Sequence, residues 1–431
     1  MNLLLHYILK AIYYVTAQLY YAKISVLNLE KVPVNKPLLI AINHSNAFWD
    51  GVMIGLHTKQ AVWFLARGDV FKKPIAAKIL NAIGIAPIYR MQEGFENIEK
   101  NKEVFNRCYQ LLNNNASIAI FPEGNCERES KLRPLKKGTA RIAHGALQSF
   151  TSSKELFVTC VGLNYDDPDS LNSEVLINFN QPLKVNDYFD ASKILDSQAA
   201  MRFTKDVENA LNEAMYNIHD HNNHVFFHFV KRNFLYLLIA KSKSALVEFE
   251  KLKAFSHKIN TQNDLLNSCK PAVIEYIEEL SKHKLREKYI KQNLVQHKFI
   301  SNYITFLFLL IPSIPALLFN SWPYMVANKI ATKTVKKREF YSSVNIGAAG
   351  ALHFVWYLIL LLIFTLTISL LKAFMLVLAL HFSGVLALHL ATYFRAIKAH
   401  IKIAKLTKSE KEIILQKRMA CVQAIQKFTE Q

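Results

Sequence analysis

Residues 344–371 and 373–394 contain no charged side chain, and only Lys372 stands between the two blocks. Hydrocarbon offers a backbone no water to bond to, so a chain that crosses it must close its own hydrogen bonds, as a helix does. A spanning helix needs about 20 apolar residues, and both blocks meet that length. Basic stretches flank the pair: Lys329, Lys333, Lys336, Lys337 and Arg338 before it, and residues 395–408 after it. The positive-inside bias assigns both flanks to the cytoplasm and makes 344–394 a transmembrane hairpin with Lys372 at its far turn. Residues 395–431 then read as a basic cytoplasmic tail. A third uncharged run, 301–328, contains Pro312, Pro315 and Pro323. If the N-terminal part of the chain is also cytoplasmic, this run enters and leaves on one side. It then reads as a re-entrant or membrane-associated segment, with the prolines marking its break. The competing reading is three ordinary spans with the N-terminal part outside.

The chain starts with a further apolar stretch, 1–21, in which Lys10 is the one certain charge. It lacks the basic start and small-residue cleavage site of a signal peptide. Residues 1–24 are expected to form an interfacial helix lying on the bilayer; the alternative is a helix packed on the next domain. Lys and Arg outnumber Asp and Glu by 53 to 33, a formal charge of +20. Such an excess favours anionic partners. With the apolar residues gathered late in the chain, membrane lipids fit better than nucleic acid, for which no signature is found. The five cysteines, Cys108, Cys126, Cys160, Cys269 and Cys421, are scattered and form no C-x-x-C pair. This argues for reduced thiols on the cytosolic side.

Between these ends the pattern changes. Apolar runs at 24–29, 38–42, 61–66, 85–89, 117–121, 156–163 and 175–179 read as strands. Stretches at 51–57, 72–83, 96–113 and 138–149 read as helices. The alternation predicts an α/β domain over 25–190. A polar residue of interest follows four of the strands: His44, Arg67, Arg90 and Glu123. In open α/β sheets ligands bind at such strand ends. Residues 191–300 read as a helical extension rich in Lys and Glu. His219, His221, His224 and His228 match no metal-ligand spacing, and no metal is expected there.

The densest chemistry lies in Asn43-His44-Ser45-Asn46-Ala47-Phe48-Trp49-Asp50. A carboxylate on one imidazole nitrogen fixes the tautomer and frees the other nitrogen to act as a base. On one continuous helix an offset of six residues turns the chain by roughly 600°, which separates the two side chains. The pair can meet only if His44 sits on a turn and Asp50 lies inside the helix that follows.

Taken together, these residues resemble the glycerophospholipid acyltransferase family. His44 and Asp50 match its His-Asp motif, with five intervening residues in place of the usual four. A subgroup similar to the fungal glycerol-3-phosphate and dihydroxyacetone-phosphate acyltransferases has the form His-x-Asn-x-Phe-x-Asp, which His44, Asn46, Phe48 and Asp50 fit. Gly84-Ile85-Ala86-Pro87-Ile88-Tyr89-Arg90 resembles the second block, Phe121-Pro122-Glu123-Gly124 the third, Lys137-Gly138 the basic-Gly pair after it, and Val161-Gly162-Leu163-Asn164-Tyr165 the fourth. Asn125, Cys126 and Cys160 depart from the usual pattern and bear on acceptor fit rather than on the reaction.

The resemblance implies an α/β acyltransferase domain, a mixed sheet flanked by helices, followed by the helical extension and C-terminal membrane helices. It implies a membrane-bound O-acyltransferase of phospholipid synthesis. The donor would be acyl-CoA or an acyl-acyl-carrier protein, and the acceptor glycerol-3-phosphate or lysophosphatidate. His44 would be the base and Asp50 its orienting partner. Arg67, Arg90 and Lys137 would clamp the acceptor phosphate, Glu123 would bind acceptor hydroxyls, and the turn at Gly124 would offer backbone N–H groups to the oxyanion. A thiolate leaves readily and no Gly-x-Ser-x-Gly elbow is present, so neither an enzyme nucleophile nor a cofactor is called for. The catalytic domain would face the cytoplasm, on a bacterial inner membrane or the endoplasmic reticulum. Two alternatives remain open: a lysophospholipid-remodelling acyltransferase and a non-catalytic lipid-binding membrane protein.

Overall fold

A computed structural model describes residues 2–430 except 89–95, 151–153, 240–243 and 296–297. Its contacts divide the chain into two compact units. The first is Met1–Asn217 with Thr334–Gly347, and the second is Ile218–Lys333 with Ala348–Gln431.

The first unit is built on an eight-stranded sheet. Its strands are β1 Tyr21–Leu27, β2 Leu38–Ile42, β3 Val62–Arg67, β4 Ile85–Ile88, β5 Ser117–Ile120, β6 Phe157–Tyr165, β7 Ser173–Phe179 and the short β8 Leu183–Lys184. The order is β1-β7-β6-β2-β5-β3-β4, with β8 also on β6. The β6–β7 and β6–β8 pairings are antiparallel and the rest are parallel. The run β6-β2-β5-β3-β4 is therefore parallel throughout, so the ends of β2, β3 and β5 emerge along one edge. That is the edge on which a ligand site is expected.

Strand side chains alternate between faces, and this alternation divides the core. Leu39 and Ala41 of β2 and Ile118 and Ile120 of β5 face one cluster, with Val104, Leu112, Ile142 and Leu147 of the covering helices. Leu38, Ile40 and Ile42 face the other, with Trp49, Met53 and Ile54 of the helix Ala47–His57. A parallel strand buried on both faces must be apolar at every position, which is why 38–42 is an unbroken apolar run.

Phe203, Val207 and Leu211 of the helix Ser197–Ala214 also belong to the first cluster. The expected boundary at residue 190 is therefore too early, because that helix covers the sheet and the compact unit continues to Asn217. The strand β6 allows the close approach. An added Cβ on Gly162 would lie 2.0 Å from the carbonyl oxygen of Ala214. At the chain start, the helix Leu3–Tyr20 is capped by Asn2 and touches the unit along one side. Tyr13 meets Trp49 edge to face, and Lys10 Nζ donates to the Thr58 carbonyl at 3.0 Å. Leu3, Leu4, Tyr7 and Ile8 stay exposed.

The second unit is helical. Among the described residues, three helices are long and apolar enough to cross a membrane, by length and composition: Phe299–Phe319, Arg338–Thr365, whose first residues belong to the first unit, and Leu370–Ala404. Three sequence expectations change here. Pro312 and Pro315 lie inside the continuous helix Phe299–Phe319 rather than at a break; the chain turns at Asn320, and the helix Ser321–Thr334 follows. Proline opens an intrahelical ladder, and here the Ser383 hydroxyl closes it. That hydroxyl accepts the Ala316 N–H at 3.1 Å and donates to the Pro312 carbonyl at 2.6 Å. The expected basic tail is also more than a tail. The helix Lys408–Glu430 buries Ile414, Cys421, Ile425 and Phe428. Its Lys417 reaches Glu279 at 2.7 Å. Lys372 lies within the helix Leu370–Ala404, and the turn between the last two apolar helices precedes it.

Candidate active site

The strand β2 ends at Ile42, and the helix Ala47–His57 begins five residues later. His44 therefore sits on the connecting turn and Asp50 in the first turn of the helix, the arrangement that the six-residue offset demands. His44 Nδ1 lies 2.9 Å from Asp50 Oδ2. An ionised carboxylate only accepts, so the pairing selects a proton on Nδ1 and, in a neutral ring, leaves the lone pair on Nε2. Asp50 is fully buried, whereas the His44 side chain is 17% exposed. Among the described residues no hydrogen-bond partner takes Nε2. The imidazole stacks on Phe121, with ring centroids 3.9 Å apart.

Asp50 Oδ2 also accepts the N–H groups of Ser45 at 2.9 Å and Asn46 at 2.8 Å. The carboxylate thus fixes the turn as well as the ring. Ala47 takes a positive φ of 43°. Its N–H donates to Cys126 Sγ at 3.0 Å. Burial first, and then the Asp50 charge, pushes the Cys126 thiol up. Burial and Asp50 likewise hold the Tyr165 hydroxyl well above its ordinary range. Donor atoms of His44, Asp50 and Cys126 come within 4.8 Å of one another, so among the described residues this is the group with metal-ligand spacing.

Behind His44 lies a second carboxylate. Glu123, which follows β5, is 3% exposed. Its Oε1 accepts the His44 N–H at 2.8 Å, and its Oε2 accepts Arg133 Nε at 2.6 Å. Arg133 Nη2 in turn donates to the His44 carbonyl at 2.9 Å and to the Asn125 carbonyl at 2.7 Å. Both backbone groups of His44 are thereby held by one buried ion pair. The resemblance assigns Glu123 to acceptor hydroxyls, but in this structure both of its oxygens are engaged inside the protein. Sequence reasoning missed Arg133 because it lies in a basic stretch with no motif of its own. The one signal for it was the buried, unpaired carboxylate that Glu123 would otherwise be.

The remaining candidates fall as follows. Gly124 takes φ +75°, a conformation glycine tolerates. Its N–H donates to the Phe121 carbonyl at 3.0 Å. The turn closes on itself, so the Gly124 N–H is engaged within it. Lys137 is exposed and immediately precedes the helix Gly138–Ser149. β3 ends at Arg67, whose side chain lies outside the described part. Arg90 lies outside the described residues.

Comparison with known proteins points to an acyltransferase domain in this part of the chain. Residues 23–161 match the family described as Acyltransferase. Glycerol-3-phosphate O-acyltransferase 2 of Saccharomyces cerevisiae is 23% identical over 193 residues, 44% of this chain and 26% of the relative. The chloroplastic 1-acyl-sn-glycerol-3-phosphate acyltransferase BAT2 of Brassica napus is 26% identical over 121 residues, 28% of this chain and 33% of the relative. The solved 1-acyl-sn-glycerophosphate acyltransferase PlsC of Thermotoga maritima aligns at 13% identity with a TM-score of 0.32, over 46% of this chain and 74% of that one. These matches support an acyltransferase domain over residues 23–161 and a likeness of that region to glycerophospholipid acyltransferases. The chain spans only about a quarter to a third of the length of the two curated relatives it matches here.

Proposed function

We propose that the protein is a membrane-bound O-acyltransferase that moves a fatty acyl group from an acyl thioester to a hydroxyl of glycerol-3-phosphate or lysophosphatidate. The observation that carries this reading is the His44–Asp50 pair, with a buried carboxylate on Nδ1 and a solvent-reachable imidazole. Nε2 takes the proton from the acceptor hydroxyl as its oxygen attacks the thioester carbonyl. The new C–O bond forms, the C–S bond breaks, and the imidazolium returns its proton to the departing thiolate. Asp50 stabilises the imidazolium between the two transfers.

Arg67, Arg90 and Lys137 are the residues proposed to bind the acceptor phosphate, which would orient the hydroxyl for attack. Acyl-CoA or an acyl-acyl-carrier protein is the proposed donor. The three long apolar helices support attachment to a membrane. The basic flanks support a cytoplasmic catalytic domain.

The test is thiol release from long-chain acyl-CoA by purified protein in detergent. It is run with glycerol-3-phosphate and with lysophosphatidate as separate acceptors, beside His44→Ala. Release with one acceptor, abolished in the variant, supports the reading and names the acceptor. No release with either, and none from acyl-carrier thioesters, overturns it.

A further inference from the structure

The loop that carries His44 is held from a place almost 300 residues away. Asn46 is fully buried and precedes the helix Ala47–His57. An asparagine there ordinarily turns its side chain onto the N–H groups of its own helix. Asn46 makes no such bond. Its Oδ1 instead accepts the hydroxyls of Ser342 at 2.8 Å and Ser343 at 3.0 Å. The single Ser343 hydroxyl proton is shared between that oxygen and the Asn46 carbonyl.

These serines lie in the first turn of the helix Tyr341–Thr365, and both are buried. Their neighbours anchor the contact. Ile346 enters the same apolar cluster as Trp49 and Met53. Gly347 lies against the Phe48 ring, where an added Cβ would be 2.7 Å from Cζ. The segment Thr334–Gly347 accordingly groups with the α/β unit.

We infer that Ser342 and Ser343 are positioning residues for the acyl transfer, acting through Asn46 on the His44–Asp50 pair. The inference rests on the proposed function for its catalytic meaning. The physical reason is that the turn is then held at both ends: the serines hold the side chain and carbonyl of Asn46, and Asp50 accepts the N–H groups of Ser45 and Asn46. Those two bonds and the one to Nδ1 share a single oxygen, Oδ2. Release of Asn46 lets its Oδ1 cap the helix, and the turn carrying His44 loses its fixed geometry. The acyltransferase match ends at residue 161. The loop at its most reactive position is thus completed by residues far outside the matched region.

The experiment uses the full-length chain in detergent with Ser342→Ala, Ser343→Ala and the double variant. Hydrogen exchange of the peptide covering 43–50 is read by mass spectrometry, together with thiol release as a function of substrate and pH. In the double variant the peptide should exchange faster while the melting temperature stays near that of the parent. kcat should fall on the order of ten- to a hundredfold, with little change in acceptor KM, since misplacing a reacting group by an ångström costs rates of that size. Its pH profile should move, and Ser343→Thr, which keeps the hydroxyl, should recover part of kcat.

If the double variant loses its fold, the single Ser343→Ala variant decides, since it removes the hydroxyl that meets both the side chain and the carbonyl of Asn46, and faster exchange of the peptide is expected there. Unchanged exchange in that peptide overturns the clamp. So does a pure KM effect with an unmoved pH profile. Should the parent protein release no thiol at all, the functional reading fails; exchange alone then decides whether the serines hold the loop.

Discussion

Glu123 in the α/β unit and Glu287 in the helical unit are the same device used for two ends. Each side chain is 1% exposed and each meets an arginine: Arg133 Nε at 2.6 Å and Arg418 Nη2 at 2.9 Å. They differ in what the second oxygen holds. Glu123 accepts a backbone N–H from His44, whose ring is partly open to solvent. Glu287 accepts the hydroxyl of Tyr276, itself fully buried. Burial, and then the Glu287 charge, pushes that hydroxyl far up, so it stays a neutral donor. One pair locks the backbone beneath the proposed base; the other locks helix packing. Burial and pairing alone therefore do not mark a functional carboxylate. Its connection to a titratable group that solvent can reach does.

The largest effect should come at the base. His44→Ala is expected to lower turnover on the order of 10²–10⁴-fold, the usual contribution of a general base, with the circular dichroism spectrum unchanged. A similar loss of turnover in Glu287→Gln would erase the distinction just drawn. Next come the pairs themselves. Glu123→Ala and Glu287→Ala each take a buried carboxylate from a partly buried guanidinium, and each should cost up to about 3–5 kcal/mol in denaturant unfolding. Activity per folded molecule should fall in the first alone. Equal activity in both would mean that Glu123, like Glu287, serves packing only.

A smaller effect tests the frame that carries Glu123 and His44. Gly162→Ala places a methyl group against the Ala214 carbonyl and should destabilise the α/β unit by about 1–3 kcal/mol, read as a lower melting temperature. The smallest belongs to an exposed carboxylate. Lys36 and Lys184 hold Glu155 down to about 2. Any stability from this lowered group is present above the ordinary carboxylate range and fades as pH falls towards that value. Solvent screens the pair, so Glu155→Gln should leave the melting temperature unchanged at physiological salt.

The features legible without a structure were those set by neighbours in sequence. The run 38–42 had to be a doubly buried strand because each of its residues is apolar. The helices at 96–113 and 138–149 have the bounds that their spacing predicts. The requirement that His44 lie on a turn and Asp50 in the next helix followed from helical geometry alone. Local periodicity and turn chemistry act within about ten residues, so a single chain displays them openly.

What the sequence left silent was long-range. Arg133 beneath Glu123, Ser342 and Ser343 on Asn46, and Ser383 inside the proline-containing helix each satisfy a polar group that some distant segment leaves open. A serine or an arginine in one stretch carries no mark of the carbonyl it will meet in another. The amino-acid sequence determined the strands, the reactive pair and the apolar helices. Only the tertiary structure decided which side chains hold that pair in place, because a buried hydrogen bond is chosen by proximity in space and by the cost of leaving its partner unsatisfied.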